Sequence, residues 1–311
     1  MKVLFATDGS KDDAPARSFV TSARWATGTG IELFGVMRPA GLAVTGEMVD
    51  RKARDFEREL GYLSSSLPTR DCRVTWRCAV GEPAEEITAR ARTIAADLIV
   101  VGSRGRGALA ASILGSVSAG VIDHAPCPVL VARRGGVARV VLADDGSAGA
   151  ATAAALLDEW PIFGGSSLAV VSVVHMGRPL ASNEGPALYA EGEHLYDSLR
   201  EARERAHRTV TARATALDAR PRPIKTSVRL GEAADQILAA AHDFNADLIV
   251  VGSRGHTGLA RIFAGSVARQ VLLGAKCSVL IARGSAAIVH DREPAPLGVL
   301  ALASPWSVRT P

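Results

Sequence analysis

Ala96-Asp97-Leu98-Ile99-Val100-Val101-Gly102-Ser103-Arg104-Gly105 returns unchanged as Ala246-Asp247-Leu248-Ile249-Val250-Val251-Gly252-Ser253-Arg254-Gly255. The identity spreads outward: residues 81–133 align without gaps on 231–283, an offset of 150, with 28 of 53 positions the same. Toward the N-terminus the offset is 137, where Leu4 to Ser10 falls on Val141 to Ser147 and both stretches end Asp-Gly-Ser. The second copy therefore holds a net 13 extra residues (150 − 137), expected around 175–193 where Gly, Pro and Asn cluster. A unit of roughly 140 residues is far too long for a solenoid repeat and implies duplication of a whole domain. The expected domains are 1–133 and 139–283, joined by Arg134 to Ala138. The tail 284–311, rich in Pro, matches nothing in the first copy and reads as extended or disordered.

The repeated decapeptide also decides the fold class. Leu98-Ile99-Val100-Val101 is a continuous apolar run, as expected of a strand covered on both faces. Further β-rich runs stand at 2–7, 31–37, 73–80 and 128–132, with helical patterns near 12–26, 48–67, 83–95 and 116–124. Phe56, Leu60, Leu63 and Leu67 recur at helical spacing and give one apolar face. Pro83 follows Gly81-Glu82, a helix-start signal. Alternating strands and helices imply βαβ units and an α/β fold with a parallel sheet. The second copy repeats the order, with strands near 139–143, 167–174, 224–230, 247–251 and 278–282.

Composition narrows the function classes. The 311 residues are 48% hydrophobic and 22% charged, which fits a globular chain with full cores. No run of 18 apolar residues occurs, so no membrane association is expected. A charge follows the first apolar stretch too soon for a signal peptide, and a cytoplasmic location is expected. The net charge is only +4, and Arg and Glu interleave as on a solvated helix face, so nucleic acid is not an expected partner. Cys72, Cys78, Cys127 and Cys277 form no CxxC pair, and Cys127 and Cys277 open apolar runs as small hydrophobes would.

Chemistry is expected where strands end, because open parallel sheets bind ligands outside the carboxyl ends of their strands. The first strand ends Thr7-Asp8-Gly9-Ser10, and the fourth opens a loop spaced Gly102, Gly105, Gly115-Ser116. The second copy keeps that spacing as Gly252, Gly255, Gly265-Ser266. Glycines let backbone N–H groups close on a polyphosphate, and a helix starting at Ser116 offers free N–H groups and a positive dipole end. Arg104 and Arg106 share the loop. Neither a Walker A motif nor a GxGxxG fingerprint occurs. Asp8 could serve as base or metal ligand, but an Asp before Gly-Ser at a strand end commonly makes an Asx-type turn. His124, His175, His194, His207, His242, His256 and His290 do not recur between copies, so no catalytic set and no metal-ligating cluster is expected.

The Asp-Gly-Ser strand end, the Gly-x2-Gly-x9-Gly-Ser loop and Ala125-Pro126-Cys127-Pro128-Val129-Leu130-Val131 resemble the universal stress protein family in its ATP-binding branch. The resemblance implies two Rossmann-like domains, each with five parallel strands in the order 3-2-1-4-5, paired through their last strands about a pseudo-twofold axis. It implies ATP with Mg2+ as cofactor, adenine near Asp8 and Val36, and ribose and phosphates along Gly102, Gly105, Gly115 and Ser116. Thr7 and Arg104 complete that set, and Asp145, Val173, Gly252, Arg254, Gly255, Gly265 and Ser266 make the second one. The implied role is a nucleotide-responsive regulator in the stress response, with at most weak ATP hydrolysis, an unknown protein partner and a homodimer of tandem chains. The alternative is a slow ATP-hydrolysing or nucleotidyl-transferring enzyme.

The copies depart from one another at the strand end. Asp144 stands where the first has Thr7, Ala148 where it has Lys11, and Arg261 where it has Ala111. With Asp144 and Asp145 both read as facing the phosphates, the second site is expected to gain more from magnesium.

Overall fold

The computed structural model describes residues 1–38, 46–67, 71–103, 114–175, 188–218, 222–253 and 265–283. The first half contains β1 (Lys2–Ala6), α1 (Ala14–Ser22), β2 (Gly30–Met37), α2 (Gly46–Ser66), β3 (Arg73–Val80), α3 (Pro83–Thr93), β4 (Leu98–Gly102), α4 (Ser116–His124) and β5 (Val129–Ala132). The second contains β6 (Arg139–Ala143), α5 (Ala148–Glu159), β7 (Ser167–Val174), α6 (Leu188–Leu217), β8 (Ile224–Leu230), α7 (Ala233–Asp243), β9 (Leu248–Gly252), α8 (Ser266–Gly274) and β10 (Ser278–Ala282). The tail 284–311 and much of the stretch expected to hold the extra residues lie outside the described residues.

The helix expected over 12–26 is shorter, because the backbone turns extended at Ala23. Trp25 then folds back, its indole N–H donating to the Val20 carbonyl at 2.8 Å and its ring meeting Phe19 edge-on. An aromatic anchor with a polar handle outweighs one more helical turn here.

The ten strands among the described residues join one sheet in the order β3-β2-β1-β4-β5-β10-β9-β6-β7-β8. Each half is parallel within itself and follows 3-2-1-4-5 from its outer edge inward. The halves meet at β5 and β10, which run antiparallel with Val129 opposite Ile281, Leu130 opposite Leu280 and Val131 opposite Val279. Leu130 and Leu280 are each other's counterparts at the offset of 150, so a pseudo-twofold axis passes through that pair.

Side chains alternate across the sheet and divide the core in two. Leu4, Ala6, Ile99 and Val101 pack with Ile87, Val121, Ile237 and Val271 under α3, α4, α7 and α8. Val3, Phe5, Leu98 and Val100 pack with Phe19, Leu63, Leu157 and Val210 under α1, α2, α5 and α6. Both clusters hold residues of both halves, so the cores run through the axis. Cys127 and Cys277 are buried within the first of them, and burial pushes the Cys127 thiol up to about 12, a packing role without thiolate chemistry.

Leu280 is fully buried at the axis. Leu280→Ala is expected to cost about 2–5 kcal/mol, read as a lowered midpoint in chemical denaturation of the whole chain. A loss below about 1 kcal/mol would mean that the halves do not depend on this seam.

Candidate functional site

Strand order reverses between β1 and β4, and again between β6 and β9, which leaves a crevice outside their carboxyl ends. Ala6 lies opposite Val101 in the register, which brings Thr7 beside Gly102. The long loop after β4 closes on itself at its base: Ser103 N–H donates to Ala132 O at 3.2 Å and Gly115 N–H to Ser103 O at 2.8 Å. In the second half Ser253 N–H donates to Ala282 O at 2.8 Å and Gly265 N–H to Ser253 O at 2.7 Å. Both loops therefore deliver a helix start, Ser116 or Ser266, to the strand ends. Gly115 and Gly265 are the N-caps, in extended conformation, and as glycines bring no capping side chain of their own. With each N-cap N–H held by Ser103 O or Ser253 O, the N–H groups of 116–118 and 266–268 are the ones that lack acceptors within their helix. Arg104, Gly105, Arg254 and Gly255 lie outside the described residues.

On the other wall, Asp8 and Asp145 each hold a tight turn. Ser10 N–H donates to Asp8 Oδ1 and Ser147 N–H to Asp145 Oδ1, both at 2.9 Å, the Asx geometry expected of Asp-Gly-Ser. Gly9 (φ 70°) and Gly146 (φ 80°) sit in the left-handed region within these turns. Val36 and Val173, at corresponding places near the ends of β2 and β7, are partly buried against the α3, α4, α7 and α8 core. Ser118 Oγ donates to Gly102 O at 2.7 Å and ties the first turn of α4 to the end of β4. Gly252 has a structural reason of its own: a Cβ there would lie 2.6 Å from the Gly149 carbonyl carbon, so the strand end abuts the α5 backbone.

Residues 1–133 and 136–283 each match the universal stress protein family. The chain belongs to that family. A universal stress protein of Mycobacterium tuberculosis strain H37Rv is 33% identical over 204 residues, covering 61% of this chain and 63% of that protein. Another, from strain CDC 1551, is 30% identical over 235 residues, 71% of this chain and 69% of its own length. The match thus spans somewhat under two thirds of the first relative. A crystal structure of a universal stress protein from Archaeoglobus fulgidus overlays 91% of this chain and 96% of its own with a TM-score of 0.60 at 19% identity, a likeness of fold.

Within this universal stress fold the two mouths are wired differently. Thr7 Oγ1 accepts from Gly9 N–H at 3.0 Å and donates to the buried Asp13, which pairs with Arg17 at 2.7 Å. Burial pushes the Asp13 carboxyl up, while Thr7 and Arg17 pull it back down. Asp144 takes Thr7's part, its Oδ1 accepting from Gly146 N–H at 2.8 Å, and its Oδ2 accepts from Arg213 Nε at 2.6 Å. The Asp144 side chain is fully buried. Its charge is held inside the wall by Arg213, which corrects the expectation that it faces the phosphates beside Asp145. The positions of Asp13 and Arg17 are Ala150 and Ala154 in the second half, and Leu63 answers to Arg213 at the offset of 150. One buried Asp–Arg pair serves each mouth, within the strand–helix turn in one half and reaching to α6 in the other.

Sequence reasoning missed Arg213, Asp13 and Glu59. A Cβ on Gly9 would lie 2.6 Å from Glu59 Oε1, so this carboxylate covers the first turn, whereas Thr209 stands by Gly146. The signal was present as unlike residues at matched positions, Glu59 against Thr209 and Leu63 against Arg213.

Arg213→Leu should leave Asp144 buried without its cation and cost about 3–5 kcal/mol. Adding Asp144→Thr, the first half's solution, should recover most of that loss in the same denaturation measurement. Failure of the second substitution to rescue would mean that Arg213 acts through packing alone.

Proposed function

We propose that the chain binds ATP in two sites, one per half, and acts as a nucleotide-responsive regulator in the stress response. The reading rests on one observation above all: both halves bring a glycine N-cap and the helix start behind it to the switch point of the sheet. Free amides and a positive dipole end favour a polyphosphate. The Asx turns of Asp8 and Asp145 and the partly buried Val36 and Val173 suit a base and sugar on the other wall. Membership of the family supports the stress-response setting. ATP with Mg2+ fits this donor set, and the ion would add positive charge against the phosphates. No helix among the described residues is long and apolar enough to cross a membrane. Among them, no group of three or more His, Cys, Asp or Glu could hold a metal ion by itself.

Mass spectrometry of nucleotide released on denaturation of purified protein should find an adenine nucleotide. Gly105→Val combined with Gly255→Val should abolish ATP binding in calorimetric titration, since a β-branched side chain fills the loop and restricts its backbone. Titration equal to wild type would refute the site.

Magnesium separates the mouths. Asp144 is spent on Arg213, and Glu59 lies over the first turn, so the first site should gain at least as much from magnesium as the second. Gly255→Val and Gly105→Val, each titrated with magnesium and with chelator, measure the two gains. A larger gain at the second site would put the Asp144 charge back in play.

The protein is proposed to respond to nucleotide by partner binding, alone or as a homodimer of tandem chains, and not to turn ATP over quickly. Multiple-turnover phosphate release should stay well below about 1 per second, the low end of the usual enzyme range. Faster release would favour the hydrolase or nucleotidyl-transferase reading.

A further inference from the structure

At the edge opposite the candidate site, the second half holds a cavity of about 250 Å3 between the ends of α7 and α8. Leu238, Ala241, Ala246, Ile249, Ala275 and Cys277 supply apolar walls. Its volume falls below the roughly 300–1,000 Å3 of sites for drug-sized ligands, so its occupant is small.

The other half serves as an internal comparison. At the offset of 150, Leu238, His242, Gly274 and Lys276 replace Thr88, Arg92, His124 and Pro126. Around the first-half residues, Arg92 Nη2 donates to His124 O at 2.9 Å. In the second half a Cβ at position 274 would lie 2.4 Å from Leu238 Cδ1, so any side chain there would have to displace Leu238, one of the cavity's own walls. Glycine at 274 thus lets the larger Leu238 form an apolar wall, and lysine at 276 adds a cation at the rim.

Charge at the rim is one-sided. Arg134 and Lys276 line the cavity, are exposed, and have no carboxylate partner among the described residues. The nearby acids are engaged: Asp243 holds Arg229 at 2.7 Å and lies 3.6 Å from His242, and Asp247 holds Arg139 at 3.7 Å. The carboxyl ends of α7 and α8 contribute about half a negative charge each. Two cations against about one negative charge leave the mouth positive.

We infer that this cavity binds a small anionic amphiphile, a short apolar chain bearing a carboxylate or phosphate, with the chain among Leu238, Ile249 and Cys277 and the head at Arg134 and Lys276. Octanoate and hexyl phosphate are the probes for the two heads, and octylammonium is the control. Calorimetry of the full chain, with ATP present to occupy any phosphate site, should give saturable one-to-one binding of at least one anion, and preference between the two assigns the head. Arg134→Gln with Lys276→Gln, both exposed and away from the sheet core, should weaken that binding at least about tenfold. Gly274→His, the first half's residue, should abolish it. Absence of binding by both anions, equal binding of octylammonium, or an unchanged affinity in the double Gln variant would overturn the inference.

Discussion

The antiparallel seam between β5 and β10 is the interaction on which the rest of the molecule depends. Three residue pairs there turn two five-stranded sheets into one of ten, and each half covers the other's otherwise open strand. The clasp is reciprocal. Arg133, just past β5, donates to Leu272 O at the end of α8, and Arg283, just past β10, donates to Ile122 O in α4. Each arginine crosses the axis to satisfy helix carbonyls that lack intrahelical partners and to complement the negative helix end. Arg269 and Asp123 add an ion pair across the axis at 3.5 Å.

The symmetry is broken where the chain must pass from one half to the other. Ser278 stands at the position of Pro128, and its hydroxyl accepts from the N–H groups of Arg133 and Arg134 and donates to Arg134 O. A proline there would leave the linker's polar groups without that partner. The outer edges show a different solution: β3 and β8 carry Arg73, Arg77, Lys225 and Arg229, charges that discourage further strand addition. The chain thus grows at its centre and is blunted at its ends.

Because the halves share a fold, their differences can be read as substitutions in a common frame. The Thr7–Asp13–Arg17 set and the Asp144–Arg213 pair reach one end by two routes. Each fixes the glycine turn after the first strand and neutralises a buried carboxylate beside the mouth. A buried charge without a partner is costly, so the residues must change together. In the second half this ties α6, a helix of 30 residues, to the strand end.

The sequence by itself determined the duplication, the order of strands and helices, and the loop spacing that marks the strand ends. These are local or repeated patterns: apolar runs for doubly covered strands, helical spacing in Phe56, Leu60, Leu63 and Leu67, and Asp-Gly-Ser turns. The register repeats as well: Ile31 opposes Val74 as Leu168 opposes Ile224, at offsets of 137 and 150. Only the tertiary structure decided which carboxylates reach the mouth. Asp144 and Arg213 are 69 residues apart, and Glu59 lies a helix and a strand away from Gly9. In sequence Asp144 is one more acid beside Asp145, yet in the fold Asp144, whose N–H still donates to Val171 O just past β6, is buried while Asp145 is exposed. The packing of α6 against the strand end brings Asp144 an arginine that no local pattern could have assigned to it.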